Sequence, residues 1–169
     1  NGDQSFKWEL KEDYSSQGVK AYGLMLTSQT WKEHVWKHQL IVLVPEAVKY
    51  QDALLFITGG SNKDTQPNWT QTDREKLLQG LVPIAKENKA IVAVVKQVPN
   101  QPLYGGLTED ALISMTLHNY KKDGDMTWPL LFPMVKSAVK AMDAVQQFAK
   151  QQHNYTVENF VVTGASKRG

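Results

Sequence analysis

Phe160-Val161-Val162-Thr163-Gly164-Ala165-Ser166-Lys167-Arg168-Gly169 decides how the rest of the chain is read. The apolar run Phe160–Thr163 predicts a buried strand, and it follows a long amphipathic segment. A serine between small residues, on a sharp turn leaving a buried strand, is the setting of a nucleophile. Gly164, two before the serine, avoids a side-chain clash where the chain doubles back. Lys167, directly after it, is placed to offer its backbone N–H to an oxyanion. The common form of this turn has a second glycine two after the serine, whereas here Arg168 holds that place and Gly169 follows. Lys167 and Arg168 read either as a solvated first helical turn, where cations are mildly unfavourable, or as groups with a task such as holding a substrate carboxylate. The plain alternative for the whole segment is a strand-to-helix turn with Ser166 as N-cap.

Upstream, the order of elements narrows the fold. Phe6, Trp8 and Leu10 alternate like a short edge strand, and 19–31 and 35–44 read as two strands of an antiparallel meander ending at Pro45. Ala53-Leu54-Leu55-Phe56-Ile57-Thr58 and Ala90-Ile91-Val92-Ala93-Val94-Val95 are continuous apolar runs, as expected of strands covered on both faces. The first ends in Gly59-Gly60-Ser61-Asn62, the second in the Pro/Gly-rich loop 98–106.

Between them, Thr72 with Glu75 forms a capping box that predicts a helix to about Lys86. Thr108 is the predicted cap of the next helix, with Glu109 and Asp110 in its first turn. Val135, Ala138, Val139, Met142, Val145 and Ala149 recur at steps of three and four and predict a third, longer helix. Strands alternating with helices after an antiparallel start predict an α/β protein with a mainly parallel sheet and helices on both faces. The sequence of strand, glycine-rich loop, helix, strand, helices, strand and serine is that of the amino-terminal half of an α/β-hydrolase fold.

Ligands of such sheets bind at the carboxyl ends of the strands, where Gly59-Gly60, loop 98–106 and Ser166 are expected to converge. Ser166 is then the candidate nucleophile. Lys167 is a candidate oxyanion donor through its backbone, and Gly60 and Ser61 are candidates for the second donor. Arg168, Asn100 and Tyr104 are candidate substrate-binding residues. His118 and His153 read as solvated helix surface, and both precede the serine, whereas this fold runs serine, acid, histidine. His34 and His38 share a face on a strand, but a metal site needs further ligands that nothing in the sequence indicates. No metal and no cofactor is expected.

Composition bounds the rest. The 169 residues are 41% hydrophobic and 21% charged, which suits one soluble globular domain or most of one. The net charge of +2 is spread without a dense basic tract, which argues against nucleic acid as partner. No apolar run approaches the roughly 18–20 residues of a membrane span. There is no cysteine, so thiolate metal sites and disulfides are excluded and the redox compartment is left open. Two sequons, at Asn68 and Asn154, matter only in a eukaryotic secreted protein. A hydrolase sheet carrying its acid and histidine needs more chain than 1–169 supplies. The residues are therefore expected to form the amino-terminal part of a single domain, completed by the remainder of the same polypeptide.

Leu55-Phe56-Ile57-Thr58-Gly59-Gly60-Ser61-Asn62, Val98-Pro99-Asn100-Gln101-Pro102 and Val162-Thr163-Gly164-Ala165-Ser166-Lys167-Arg168-Gly169 together resemble the PhoPQ-activated pathogenicity-related family. The resemblance covers essentially the whole chain. It implies a secreted or periplasmic α/β-hydrolase-like protein linked in bacteria to virulence, with a related amoebal branch acting as a secreted proliferation repressor. The serine turn also resembles that of glucuronoyl esterases, where a basic residue follows the serine and glycine sits three after it. By that similarity Lys167 occupies the place of an oxyanion-supporting arginine, without the planar fork of a guanidinium. Two classes of function stay open: a serine hydrolase acting on esters or peptides, and a secreted signalling or binding protein that keeps the fold without its chemistry.

Overall fold

The computed structural model describes residues 2–68 and 71–168, with the side chains of 16 and 71–74 outside the description. Strands β1 (Lys7–Ser16), β2 (Val19–Trp31) and β3 (His34–Pro45) form an antiparallel meander. The chain continues through β4 (Asp52–Ile57) and a small hairpin of β5 (Asn62–Lys63) with β6 (Gln66–Pro67). Helix α1 (Gln71–Asn88) leads to β7 (Ile91–Val95). Helices α2 (Glu109–Asp123) and α3 (Leu131–His153) precede β8 (Asn159–Gly164), which runs into a single 3-10 turn, Ser166–Arg168.

The six long strands make one sheet in the order β1-β2-β3-β7-β4-β8. Pairing is antiparallel as far as β7, and β4 lies parallel to both β7 and β8. The sheet is therefore mixed, with its parallel part centred on β4. The registers Ile57↔Val95 and Ile57↔Gly164 align the carboxyl ends of all three parallel strands.

Alternation along β4 and β7 explains both faces. Ala53, Leu55, Ile57, Ile91, Ala93 and Val95 point to one side, where Met134, Ala138, Ala141, Val145 and Phe148 of α3 cover them. Val92 and Val94 point to the other, against Leu78, Val82 and Ala85 of α1. Every side chain of β7 is buried, which is why its sequence is an unbroken apolar run. Phe148 anchors the first core, with ring centroids 4.8 Å from Tyr22 and 5.9 Å from Trp8.

Several local expectations change. Phe160–Thr163 is not a buried strand here: β8 is the edge of the sheet, with Val161 63% and Val162 47% exposed, because among the described residues only β4 pairs with it. On α3, Ala138, Val145 and Ala149 are buried as expected, whereas Val135 and Val139 are exposed, and Met134, Ala141, Ala144 and Phe148 complete the core stripe. Helix α1 begins at Gln71, ahead of the predicted cap Thr72, whose side chain lies outside the described residues. Thr108 occupies the N-cap position of α2 but makes no side-chain cap bond. The Gln101 side chain does that work, its Oε1 accepting the Glu109 N–H at 2.8 Å. His153 is half-buried and not solvated, its ring 5.3 Å from Tyr22 and 5.7 Å from Phe148.

Candidate active site

The parallel register brings three segments to one rim. Beyond Ile57 and Val95 the two chains stay paired, with Gln97 N–H donating to the Gly59 carbonyl (3.1 Å) and Val98 N–H to Thr58 (3.3 Å). Beyond Gly164, Ala165 N–H donates to the Ile57 carbonyl (3.0 Å). The turn that follows β8 therefore starts against the end of β4, beside the glycine loop.

Ser166 is exposed and holds φ +60°, a left-handed conformation in a non-glycine residue. Such a conformation costs about 1–2 kcal/mol and persists where the surroundings enforce it. The surroundings are visible: Arg168 N–H donates back to the Ala165 carbonyl (3.3 Å), and the Arg168 side chain is pinned. Only 7% of that side chain is exposed. Its Nε donates to the Val98 carbonyl and its Nη2 to Glu109 Oε1. A Cβ on Gly59 would stand 2.8 Å from that Nη2, so only glycine admits the guanidinium. Gly60 holds φ +142°, which L side chains rarely adopt, and lies against Gln97.

The sequence-predicted residues divide accordingly. Ser166, Lys167, Arg168, Gly60 and Ser61 gather at the rim, on adjoining loops. Among the described residues no backbone carbonyl accepts the Gly60 or Ser61 N–H. Gly169 lies outside the described residues. Lys167 Nζ pairs with Asp110 and sits 3.3 Å from Glu109 Oε2. The Asp110 hydrogen bond in particular pushes the lysine pKa up. Burial alone would raise Glu109, but hydrogen bonds from Gln101, Arg168 and Lys167 and the Arg168 charge bring it below its ordinary value.

Asn100 and Tyr104 are spent elsewhere. Asn100 is buried, with Nδ2 donating to the Lys37 carbonyl (2.5 Å) and Oδ1 accepting from Asn62 Nδ2 (2.8 Å). It borders a cleft with His34, Lys37 and Leu103, whereas Lys167 and Arg168 border a separate apolar cleft along α3. Tyr104 packs among Trp31, Trp128 and His34, and burial, with the nearby Glu33 charge, pushes its phenol up to about 12. Glu109 and Gln101 are the residues that sequence reading passed over. Glu109 stands at a helix start, which has a sufficient explanation in the helix dipole, and Gln101 stands in the 98–102 motif without a local pattern that gives it a role. No cluster of metal-ligating side chains occurs among the described residues, and no described helix is long and apolar enough to cross a membrane.

The chain is 34% identical over 178 residues to autocrine proliferation repressor protein A of Dictyostelium discoideum, covering 99% of this chain and 35% of that protein. Among solved structures it superposes on a glucuronoyl esterase from Solibacter usitatus with a TM-score of 0.56 at 12% identity, covering 98% of this chain and 47% of the other. A Bacteroides fragilis protein provisionally assigned as an acetyl xylan esterase gives a TM-score of 0.52 at 17% identity, covering 96% and 42%. At these identities the structural matches establish the α/β-hydrolase fold. The chain spans about a third of the curated relative and less than half of each of these solved structures. The model of the family described as PhoPQ-activated pathogenicity-related protein matches residues 1–169, and the chain belongs to that family.

Proposed function

We propose that the chain carries the nucleophile and oxyanion site of a serine hydrolase acting on an ester or peptide. The observation that carries the reading is Ser166 at φ +60°, exposed at the carboxyl end of β8, on a turn packed against Gly59. In this reading the Ser166 hydroxyl attacks the substrate carbonyl carbon and gives its proton to a histidine. The N–H groups of Lys167 and of Gly60 or Ser61 receive the oxyanion that forms. Collapse of the tetrahedral intermediate expels the alcohol or amine, which takes the proton back from the histidine, and water then releases the acyl group by the same steps. The histidine and its orienting acid belong, on this proposal, to polypeptide following residue 169, in keeping with the share of its relatives that the chain spans.

The test is labelling of the full-length protein with a fluorophosphonate probe, wild type against Ser166→Ala. Labelling that is present in the wild type and lost in the variant supports the reading. Equal labelling, or none in either, overturns it.

A second reading has its own support, the 34% identity with a protein named as an autocrine proliferation repressor. On that reading the fold presents a signalling surface, and a role outside the cytoplasm follows the family resemblance. Ser166→Ala would then leave the biological activity intact, which a proliferation assay on the full-length protein measures.

A further inference from the structure

The side chain of Glu109 joins the serine turn to the 98–106 loop and, through Gln101, to the glycine loop. Oε1 accepts from Arg168 Nη2, and Oε2 lies 3.3 Å from Lys167 Nζ, so one carboxylate holds both residues that follow Ser166. The same Oε1 accepts from Gln101 Nε2 (2.8 Å), while Gln101 Oε1 takes the Glu109 N–H (2.8 Å). Gln101 Nε2 also reaches the Gly60 carbonyl at 3.3 Å, and the Gln101 carbonyl accepts the Asn62 N–H at 2.6 Å. The connection therefore runs from the serine turn through Glu109 and Gln101 into the loop holding the oxyanion candidates.

Two further facts mark the arrangement as held in place. Glu109 itself sits at φ +46°, unusual for a non-glycine residue and maintained here by the paired bonds to Gln101. The Arg168 guanidinium lies almost wholly inside, so loss of its carboxylate partner leaves a buried charge without its counter-ion.

We propose that Glu109 is a positioning residue for Ser166, fixing the serine turn against the Gly59–Ser61 loop by clamping Arg168 and Lys167 from the start of α2. Arg168 is then a tether between the turn and the rim, not a group that meets substrate. The inference rests on the hydrolase reading for its kinetic consequence, but its geometric content stands apart from that reading.

The test uses the full-length protein with Glu109→Gln, which keeps shape and removes charge. Gln101→Met, which severs the link to Gly60, serves as a second variant should the first fail to fold. Two quantities are measured: the rate of fluorophosphonate labelling, and backbone amide exchange across 58–61 and 164–168. The expected result is exchange accelerated in both segments, with labelling slowed by roughly tenfold or more and probe affinity little changed. Unchanged exchange overturns the clamp. Faster exchange with labelling at the wild-type rate overturns its role in positioning Ser166. A wild type that does not label at all defeats the hydrolase reading, and the exchange measurement then judges the clamp alone.

Discussion

The Ser28 hydroxyl lies 2.9 Å from His38 Nε2, and both residues are wholly buried. His38 Nδ1 sits 2.9 Å from the Lys96 carbonyl, which can only accept, so Nδ1 carries the proton and Nε2 accepts from Ser28. Ser28 then meets Ser137 Oγ at 3.2 Å, and Gln29 Nε2 and Ser137 Oγ both donate to the Pro133 carbonyl. This serine–histidine pair has no route to a substrate. It joins β2, β3, the end of β7 and α3 inside the core. With both ring nitrogens engaged, His38 has no lone pair for a metal, which separates it from His34 on the same strand.

That environment has a pH consequence. Burial holds His38 down to about 4, against 6.5 for the free side chain. The folded state therefore resists protonation that the unfolded chain accepts. The contribution is full above pH 6.5 and is lost as pH falls towards 4. A shift of this size corresponds to roughly 3 kcal/mol. Urea unfolding from pH 7 to pH 4 should show stability falling across this window, and a His38→Gln variant, weaker at pH 7, should show a flatter profile. Parallel profiles for the two proteins would remove His38 as the cause.

Gly59→Ala tests the contact between the glycine loop and the serine turn. The backbone of Gly59 does not need glycine's freedom, so the new methyl acts only through Arg168, whose Nη2 it would meet at 2.8 Å and Cζ at 3.1 Å. The guanidinium must move and weaken its bond to Glu109. We expect a loss of about 1–2 kcal/mol in thermal unfolding and, on the proposed hydrolase reading, a fall in hydrolysis of roughly tenfold. In an Arg168→Ala background the same substitution should cost almost nothing. An undiminished cost there would show that the methyl acts elsewhere.

How much of this was legible in the sequence depends on distance along the chain. β4 and β7 announce themselves, since each is a continuous apolar run between turn residues. The gathering of Gly60 and Ser166 at one rim follows from strand order alone. The apolar run Phe160–Thr163 predicts a buried β8, yet burial depends on neighbours that the local sequence does not name. Arg168 is the clearest case. Its partner Glu109 lies 59 positions away and Val98 lies 70 away, so no local pattern links them. Thr108 looked like the cap of α2 because short polar residues usually fill that place, and Gln101 displaced it only through the folded path of the loop.

Phe148 carries the core between α3 and the antiparallel strands. Its ring is fully buried and meets Tyr22, Trp8 and His153 at 4.8, 5.9 and 5.7 Å. Phe148→Ala leaves a cavity walled by large rings that cannot collapse into it, and should destabilise by about 3–5 kcal/mol. Chemical denaturation measures this directly. A loss under about 1 kcal/mol would mean that the helix does not pack as described.

If Ser166 is the proposed nucleophile, it should be a place where stability and activity oppose each other. Its left-handed backbone costs about 1–2 kcal/mol for any L side chain, and alanine keeps that cost while removing an exposed hydroxyl. Ser166→Ala is therefore expected to unfold at nearly the wild-type temperature. Glycine relieves the strain but loses about 0.5–1 kcal/mol through the greater freedom of the unfolded chain. The difference predicts that Ser166→Gly is the more stable variant, by roughly 0.5–1 kcal/mol, with hydrolysis lost in both on the proposed reading. Calorimetry on the two variants and wild type checks the order. A glycine variant no more stable than the alanine variant would mean that the turn is not strained at Ser166, and would take away the observation on which its role as nucleophile rests.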